Sequence, residues 1–251
     1  MTRRRTALVT AGAHGTGLAI ARRLAAAGFD LTVSAHTKSA AMCAADELMM
    51  YDTRVVAAKA DLASEEDVRE LALGHLCDFG PLDTLVLNAD LASFGPLESI
   101  PTRRWDLVFD VNVRSQLILI QSCLPALRAA AALSTEYGAK VIAIASMAGI
   151  ASEPDLAAYS ASKAALISLC QSVTLAERTH GVTATTISPD YVNTGAQPLA
   201  GSAGIQADDI ATLVLTLSQL SRRAVVSNLA ISSPDRGQNH DRIAVAQLAA
   251  V

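Results

Sequence analysis

The sequence contains a tyrosine and a lysine whose types and spacing suit proton transfer to and from an oxygen atom. Tyr159 and Lys163 lie four residues apart in a helical pattern and so share one helix face, while Ser146 ends a predicted strand thirteen residues upstream. A free tyrosine has a pKa of about 10, and lowering it by about 3 units takes roughly 4 kcal/mol, much of which a fixed ammonium can supply. We therefore expect Lys163 to bias Tyr159 toward phenolate, and the Ser146 hydroxyl to hold a carbonyl oxygen. A solvated surface pair of tyrosine and lysine is the alternative.

A glycine-rich turn at residues 10–17 has the composition of a phosphate-binding loop. It lies between the first predicted strand and the first predicted helix, where glycines let the backbone approach a phosphate and the helix N-terminus faces it. We expect a dinucleotide pyrophosphate here, and an ordinary strand-to-helix turn is the alternative. The candidate cofactor-binding residues of this loop are Gly12, His14, Gly15, Thr16 and Gly17.

The end of the second predicted strand has no acidic residue. A protein that binds NAD usually has a carboxylate there, which holds the ribose 2′-hydroxyl. His36, Thr37 and Lys38 occupy this place, and His14 can come near them. We expect these donors and positive charges to accept the 2′-phosphate of NADP, with NAD less favoured. The alternative is that His36 and Lys38 simply begin a solvated helix.

Predicted strands and helices must position these side chains. Along the sequence, short runs rich in β-branched residues alternate with longer helical segments. Strands are predicted at residues 6–10, 31–35, 54–60, 84–88, 140–146, 183–188 and 228–231. Helices are predicted at residues 17–27, 38–50, from 64 onward, 102–133 with a kink at Pro125, 156–179 and 208–220. This order predicts an α/β fold: a doubly wound parallel β-sheet with helices on both faces, forming one domain over residues 1–251.

Composition and charge argue against several classes of protein. The 251 residues have a net charge of −4 and no long basic block, so neither nucleic acid nor a membrane is an expected partner. No run approaches the roughly 18 consecutive apolar residues of a membrane span, and the early glycines interrupt any secretory signal. The five histidines are dispersed and the four cysteines form no C-x-x-C pair, which predicts no metal site and a reducing, cytoplasmic location.

Further along the chain, an ordered set of motifs carries a specific resemblance to a known family. The set consists of the glycine loop, Asp61-Leu62, Asn88-Ala89, Asn112, Ser146, Tyr159-x-x-x-Lys163 and Pro189-x-x-Val192-x-Thr194. In this order the motifs resemble those of the classical short-chain dehydrogenases/reductases, and the resemblance covers nearly the whole chain. The family's fold is the doubly wound sheet predicted above, known as the Rossmann fold.

The resemblance implies roles for residues that spacing alone does not assign. Asp61 and Leu62 would flank the adenine, Asn88 and Ala89 would line the cofactor cleft, and Asn112 would bind a water that continues a proton relay. In the last motif, Val192 and Thr194 would meet the nicotinamide amide, and Pro189 is a further cofactor contact. Tyr159 and Lys163 are also candidate cofactor-binding residues, and we expect Lys163 to hydrogen-bond the nicotinamide ribose. The family also implies hydride transfer between NADP and a small carbonyl or alcohol, and a homotetramer or homodimer.

Three positions depart from the family's pattern. Ala11, Asp90 and Asp190 each stand where the family has glycine, the last two in its N-N-A-G and P-G motifs. Near a polyanionic cofactor, two carboxylates should repel phosphate or crowd the cleft unless both point into solvent. The alternative function is therefore a cofactor-binding or regulatory protein of the same fold with impaired turnover. A nucleotide-sugar epimerase would need a larger carboxyl-terminal substrate region than this chain has.

The side chains predicted around the substrate are mostly apolar. They include Met147, Ala148 and Ile150 after the catalytic serine and the loop at residues 94–97. They favour a modest hydrophobic ketone, aldehyde or 3-oxoacyl group over a polyol. The stretch at about residues 190–206, rich in Gly, Ala and Ser toward its end, is the predicted substrate loop and a candidate mobile lid.

Overall fold

A seven-stranded parallel sheet forms the centre of the fold in the computed structural model, which describes residues 3–194 and 204–234. In chain order its strands are β1 (Thr6–Val9), β2 (Asp30–Ala35), β3 (Val55–Lys59), β4 (Thr84–Leu87), β5 (Ala139–Ile144), β6 (Val182–Pro189) and β9 (Asn228–Ile231). They are arranged in the order β3-β2-β1-β4-β5-β6-β9, and every neighbouring pair is parallel. The chain reverses its direction of winding between β1 and β4, which opens a crevice at the carboxyl ends of these strands.

Helices cover both faces of the sheet. They are α1 (Gly15–Ala26), α2 (Lys38–Leu48), α3 (Glu65–Phe79), α4 (Thr102–Phe109), α5 (Ser115–Leu133), α6 (Ala157–Glu177) and α7 (Ala207–Ser218). One hydrophobic cluster packs α1, α2 and α7 against one face, and a second packs α3, α5 and α6 against the other. Within β1, Ala7 and Val9 belong to the first cluster and Leu8 to the second, as the alternation of side chains along a strand requires. The predicted fold class is confirmed.

The predicted helix at residues 102–133 contains an irregularity that the sequence did not indicate, while the kink at Pro125 stays a prediction. A π-helix at Asp110–Arg114 separates α4 from α5, whereas Pro125 lies inside α5. A π-helix inserts one extra residue per turn and is frequent at functional sites. Here it contains Asn112, whose side chain is fully buried. The irregularity is therefore at a predicted site residue.

The predicted substrate loop contains a short pair of strands. β7 (Val192–Asn193) pairs in parallel with β8 (Ile205–Gln206), apart from the main sheet. Residues 195–203, the central part of the predicted lid, lie outside the described residues. The pairing of β7 with β8 joins the two ends of this loop.

Thr102–Leu133 is the one helical segment of the described residues that is long and apolar enough, by length and composition alone, to cross a membrane. Half of its most apolar window is buried, and α5 packs against α3, β4 and β5. The core helix of a soluble protein passes the same test, so the segment is weak support for a membrane span.

Candidate active site

A cleft of 780 Å³ lies at the carboxyl ends of β1, β4, β5 and β6. The predicted site residues that line it are His14, Gly15, Thr16, Gly17, Asn88, Ser146, Tyr159, Pro189, Val192 and Thr194. Four more, Gly12, Ala89, Asn112 and Lys163, are buried. The remaining five lie beyond β2 and β3 and do not line this cleft; they are His36, Thr37, Lys38, Asp61 and Leu62. The structure thus brings the predicted catalytic residues and the glycine loop to one crevice.

The glycine loop is fixed to the end of β4 by two polar side chains. The Thr10 hydroxyl accepts hydrogen bonds from the N–H groups of Asn88 and Ala89, at 2.9 and 3.2 Å. The Asn88 amide donates to the carbonyl oxygens of Thr10 and Ala11, both at 3.2 Å. A Cβ on Gly17 would lie only 2.2 Å from the Ala11 oxygen. Only glycine fits at position 17, because the backbone of the glycine loop at Ala11 passes directly over this residue of α1.

The start of α1 meets the requirements of a phosphate site. His14 is the N-cap residue, its side chain makes no capping hydrogen bond, and the first turn contains no acidic residue. Gly15 has φ +49°, and a Cβ there would lie 3.0 Å from the Cβ of Thr194. Ala11 has φ +48°, a left-handed conformation that costs a non-glycine residue about 1 kcal/mol. The backbone therefore keeps the path of a phosphate loop although one glycine is missing, and the predicted pyrophosphate fits it.

The region beyond β2 contains one basic residue that the sequence analysis missed. Ala35, the last residue of β2, is in register with Lys59 of β3, which adds a cation beside exposed His36 and Lys38. The Thr37 hydroxyl caps α2 by accepting from the Ala40 N–H at 3.3 Å. Only the register of neighbouring strands could have identified Lys59 from sequence. These exposed cations fit a phosphate monoester.

One acidic side chain lies beside this basic group. Asp67 accepts a hydrogen bond from the Asp61 N–H at 2.9 Å. That bond is the main cause that lowers the pKa of Asp67, and the charges of Lys59 and His36 lower it further. Asp61 and Leu62 are half-buried at the end of β3. Their predicted contact with an adenine stays a prediction.

Asp90 joins the two predicted catalytic side chains through its carboxylate. The Tyr159 hydroxyl donates to Asp90 Oδ2 at 3.0 Å, and Lys163 Nζ lies 3.0 Å from Asp90 Oδ1. Lys163 Nζ also donates to the Ile144 carbonyl oxygen at 3.0 Å. The Lys163 side chain is fully buried, whereas the Asp90 side chain is 44% exposed. The sequence left open whether this carboxylate would repel phosphate, crowd the cofactor cleft or point into solvent; it lines the cleft and contacts Tyr159 and Lys163.

The direction of the Tyr159 pKa is opposite to the one predicted. Burial raises the pKa of Tyr159 well above its usual value, and the charge and hydrogen bond of Asp90 raise it further, while the Ser146 hydroxyl opposes the change. The sequence analysis expected Lys163 to lower this pKa. That expectation was wrong because it left out the burial of the phenol and the pairing of the Lys163 ammonium with Asp90; this ammonium lies 5.5 Å from the centre of the Tyr159 ring.

Ser146 is positioned by the turn that follows β5. Its hydroxyl accepts a hydrogen bond from the Ala148 N–H at 3.1 Å, at the start of a 3-10 turn at Met147–Gly149. A Cβ on Gly149 would lie 2.8 Å from the Lys163 backbone, so this turn packs tightly against α6. The close packing sets the distance between Ser146 on the turn and Tyr159 on the helix.

Asn112 binds the backbone beside Asp90. Its Oδ1 accepts from the Leu91 N–H at 2.8 Å, and its Nδ2 donates to the Leu91 oxygen and to the Ser162 hydroxyl, both at 3.0 Å. These bonds connect the π-helix to the loop after β4 and to α6. We call this set of bonds the Asn112 clamp. The water predicted at Asn112 stays a prediction.

We expect Asn112→Ala to lower the free energy of unfolding by about 2–4 kcal/mol, because it removes three hydrogen bonds, two to the half-buried Leu91 backbone and one to the buried Ser162 hydroxyl. Denaturant unfolding at neutral pH measures the change. Gln121→Ala, an exposed change on α5, serves as the control and should stay within about 0.5 kcal/mol of the unmodified protein. An equal stability of the Asn112 and Gln121 variants would contradict the clamp.

In residues 3–194 and 204–234, no group of three or more His, Cys, Asp or Glu side chains is placed to hold a metal ion. His75, for example, is isolated in the core, where it contacts the Thr32 hydroxyl at 2.8 Å and burial lowers its pKa to about 4. The titratable residues that share the cleft with the glycine loop are instead His14, Asp90, Glu153, Tyr159, Asp190 and Tyr191.

Comparisons with known proteins agree with this arrangement. The family model described as short chain dehydrogenase matches residues 5–202. A rhamnolipid-biosynthesis 3-oxoacyl-[acyl-carrier-protein] reductase of Pseudomonas aeruginosa is 42% identical over 166 residues, which are 64% of this chain and 62% of that protein, less than two thirds of its length. A D-beta-hydroxybutyrate dehydrogenase of Cupriavidus necator is 30% identical over 190 residues, or 76% of this chain and 71% of that protein. The crystal structure of a metagenomic short-chain oxidoreductase in complex with NADP superposes with a TM-score of 0.79 at 29% identity, covering 91% of this chain and 96% of the other. The chain therefore belongs to the short-chain dehydrogenase family of oxidoreductases.

Proposed function

We propose that the protein is an NADP-dependent oxidoreductase that reduces a ketone, an aldehyde or a 3-oxoacyl group to an alcohol, or catalyses the reverse reaction. The observation that carries this proposal is the meeting of the Tyr159 and Ser146 hydroxyls in one cleft, with the Lys163 ammonium buried behind them. A phenol and a second hydroxyl that can reach one oxygen atom suit proton transfer to a carbonyl.

Each of these side chains has its own part in the proposed reaction. The nicotinamide, when bound, supplies or accepts the hydride. Tyr159 donates its proton to the carbonyl oxygen, and the Ser146 hydroxyl donates a hydrogen bond to the same oxygen as negative charge develops there. Lys163 is held beneath them by Ile144 and Asp90, and Asn112 positions the loop that contains Asp90.

Separate parts of the crevice would hold the two ends of the cofactor. The pyrophosphate would lie on the glycine loop and the start of α1, and the 2′-phosphate beside His36, Lys38 and Lys59. Asp61 and Leu62 would flank the adenine, and the residues beside the nicotinamide amide would be Val192 and Thr194. The structural neighbour solved in complex with NADP supports NADP as the cofactor.

The relatives and the cleft support the same substrate class. Apolar side chains in the cleft include Ala92, Phe94, Ala148 and Leu156. One relative is a 3-oxoacyl reductase and another a beta-hydroxybutyrate dehydrogenase, so both names place the reacting oxygen at the carbon β to an acyl group. We therefore favour a 3-oxoacyl substrate with a short hydrophobic chain, in a cytoplasmic, homotetrameric or homodimeric enzyme.

The test is to measure carbonyl-dependent oxidation of NADPH and of NADH with a 3-oxoacyl thioester and a simple hydrophobic ketone. We expect turnover with NADPH and a kcat/KM about tenfold or more lower with NADH, since the 2′-phosphate gains charge-assisted contacts. Lys38→Ala and Lys59→Ala should each lower kcat/KM with NADPH and leave kcat/KM with NADH unchanged. Arg23→Ala, which removes an exposed cation at the far end of α1, is the control. A clear preference for NADH would contradict the NADP assignment.

The second candidate, a cofactor-binding or regulatory protein with impaired turnover, is favoured by one observation. Asp90 contacts both proposed catalytic side chains. If it disables them, the protein should bind NADPH and turn over no carbonyl substrate until Asp90, or Asp90 with Asp190, is changed to glycine. Fluorescence titration of NADPH beside the activity assay separates this candidate from the first.

A further inference from the structure

We propose that Asp90 is a positioning residue that keeps Tyr159 in its proton-donating form and so extends carbonyl reduction to alkaline pH. The proposal rests on the proposed function in one respect, the role of Tyr159 as proton donor. It concerns the contact of one carboxylate with both Tyr159 and Lys163, which we call the carboxylate bridge. The Asp90 side chain is itself placed by the Asn112 clamp on the next residue, Leu91.

The geometry of the bridge selects the neutral phenol. A carboxylate oxygen can only accept a hydrogen bond, and a phenolate oxygen can likewise only accept one. Asp90 Oδ2 and Tyr159 Oη are 3.0 Å apart, so the contact requires a proton between them. Ionisation of Tyr159 would instead leave two negatively charged acceptors at this distance, which disfavours the phenolate.

The other half of the bridge directs the positive charge away from the phenol. Lys163 is fully buried, so its ammonium needs a charged partner and hydrogen-bond acceptors inside the protein. Asp90 Oδ1 and the Ile144 carbonyl oxygen supply them, each at 3.0 Å. Removing the Asp90 charge would leave this ammonium as the nearest ionic partner for a phenolate at Tyr159. Removing the Asp90 charge should therefore end its repulsion of a Tyr159 phenolate and allow the Lys163 ammonium to attract that phenolate.

Other groups around Tyr159 modify this effect. Glu153, from the segment before α6, also raises the pKa of Tyr159, and the Ser146 hydroxyl at the end of β5 lowers it. His14 from the glycine loop and Asp190 from the end of β6 line the same cleft. Of these groups, Asp90 has a hydrogen bond to Tyr159 and an ion pair with Lys163, so we assign the largest electrostatic effect to it.

The variant that tests the proposal is Asp90→Asn, which keeps the shape of the side chain and removes its charge. Asp90→Glu keeps the charge, Asp90→Gly restores the family's motif, and Asp46→Asn is a matched control on the exposed face of α2. Ultraviolet absorbance of the cofactor-free protein follows tyrosine ionisation against pH, and subtraction of the Tyr159→Phe curve isolates Tyr159. The second measurement is the pH profile of kcat for reduction at saturating NADPH.

We expect the ionisation step of Tyr159 in the unmodified protein to lie at a higher pH than that of an ordinary tyrosine, because burial and the Asp90 carboxylate both raise its pKa. In Asp90→Asn and Asp90→Gly the step should move down by about one pH unit or more, which is about tenfold more phenolate at a given pH. The alkaline loss of reductase activity should move down with it. Asp46→Asn should behave like the unmodified protein, and Asp90→Glu should stay closer to it than the uncharged variants.

The proposal is overturned if folded Asp90→Asn and Asp90→Gly titrate like the unmodified protein. It is also overturned if the alkaline limb of reduction does not move in an active Asp90→Asn or Asp90→Gly variant. Circular dichroism establishes which variants fold, and Asp90→Glu, which keeps the ion pair with Lys163, supplies a folded comparison. Absence of turnover in every variant would contradict the proposed function, whereas the absorbance titration would still decide the role of Asp90.

Discussion

Replacing Tyr159 by phenylalanine is expected to lower kcat for carbonyl reduction by roughly 10²–10⁴-fold, the usual contribution of a positioned proton donor. The change removes one oxygen atom and keeps the ring that packs at the start of α6. The lost hydroxyl is the group that donates to Asp90 and interacts with Ser146, so no other phenol in the cleft occupies its place. Affinity for NADPH should stay within about threefold, because hydride transfer needs the bound cofactor but proton transfer needs the phenol.

Steady-state rates at saturating NADPH, with a fluorescence titration for the affinity, measure both effects. Tyr51→Phe is the matched control, since it removes a phenol beyond α2 that does not line the cleft. We expect its kcat to equal that of the unmodified protein. A Tyr159→Phe enzyme that retains a tenth or more of the kcat (roughly 1.4 kcal/mol or less in activation free energy) would rule out Tyr159 as the proton donor.

Gly17→Ala is expected to have the largest effect on cofactor binding, with a loss of NADPH affinity of about 100-fold or more, roughly 2.7 kcal/mol. The new Cβ would lie 2.2 Å from the Ala11 oxygen and 2.6 Å from Asn88 Nδ2. Neither atom can move freely, because the Asn88 amide is hydrogen-bonded to the carbonyl oxygens of Thr10 and Ala11. The loop would have to shift away from α1, which also costs about 1–3 kcal/mol of folding stability.

Gly74→Ala is the matched control for this variant. Gly74 lies on the exposed face of α3, and a Cβ there would meet nothing within 4 Å. Because alanine favours the helix, we expect the control to gain about 0.5–1 kcal/mol and to bind NADPH normally. Denaturant unfolding and NADPH fluorescence measure both proteins. Equal NADPH affinity of the Gly17 and Gly74 variants would show that the glycine loop does not hold the cofactor.

The main elements of the fold could be predicted from the sequence because they depend on local patterns. Runs of apolar β-branched residues separated by helical segments require a parallel sheet, and the predicted strand ends lie within two residues of the observed ones. The π-helix around Asn112 could not be predicted, since it depends on hydrogen bonds to Leu91 and Ser162 in distant segments. The two-residue strands β7 and β8 are too short to leave a pattern.

Some features of the candidate site could likewise be predicted from the sequence, and others could not. Strand ends and helix spacing were sufficient to bring Ser146, Tyr159 and Lys163 together, because both are local properties. The direction of the Asp90 side chain depends on the loop after β4 and on a clamp from another helix, so the sequence left open whether its carboxylate crowds the cleft or points into solvent. The predicted direction of the Tyr159 pKa failed because it considered Lys163 without the burial of the phenol and without the carboxylate that pairs with Lys163.

The pairing of β6 with β9 has a consequence for how the protein is made. β9 is in register with β6 up to Pro189, the Asp190 N–H donates to the Ile231 oxygen at 2.9 Å, and Asn228 binds the Ser188 hydroxyl at 2.8 Å. Pro189 and Asp190 form one wall of the cleft. During synthesis β6 can pair with β5 on one side, but its other side has no neighbouring strand until α7 and β9 have left the ribosome. In that interval the nascent chain presents an edge of unpaired backbone N–H and C=O groups, and it is then that a chaperone would protect it best.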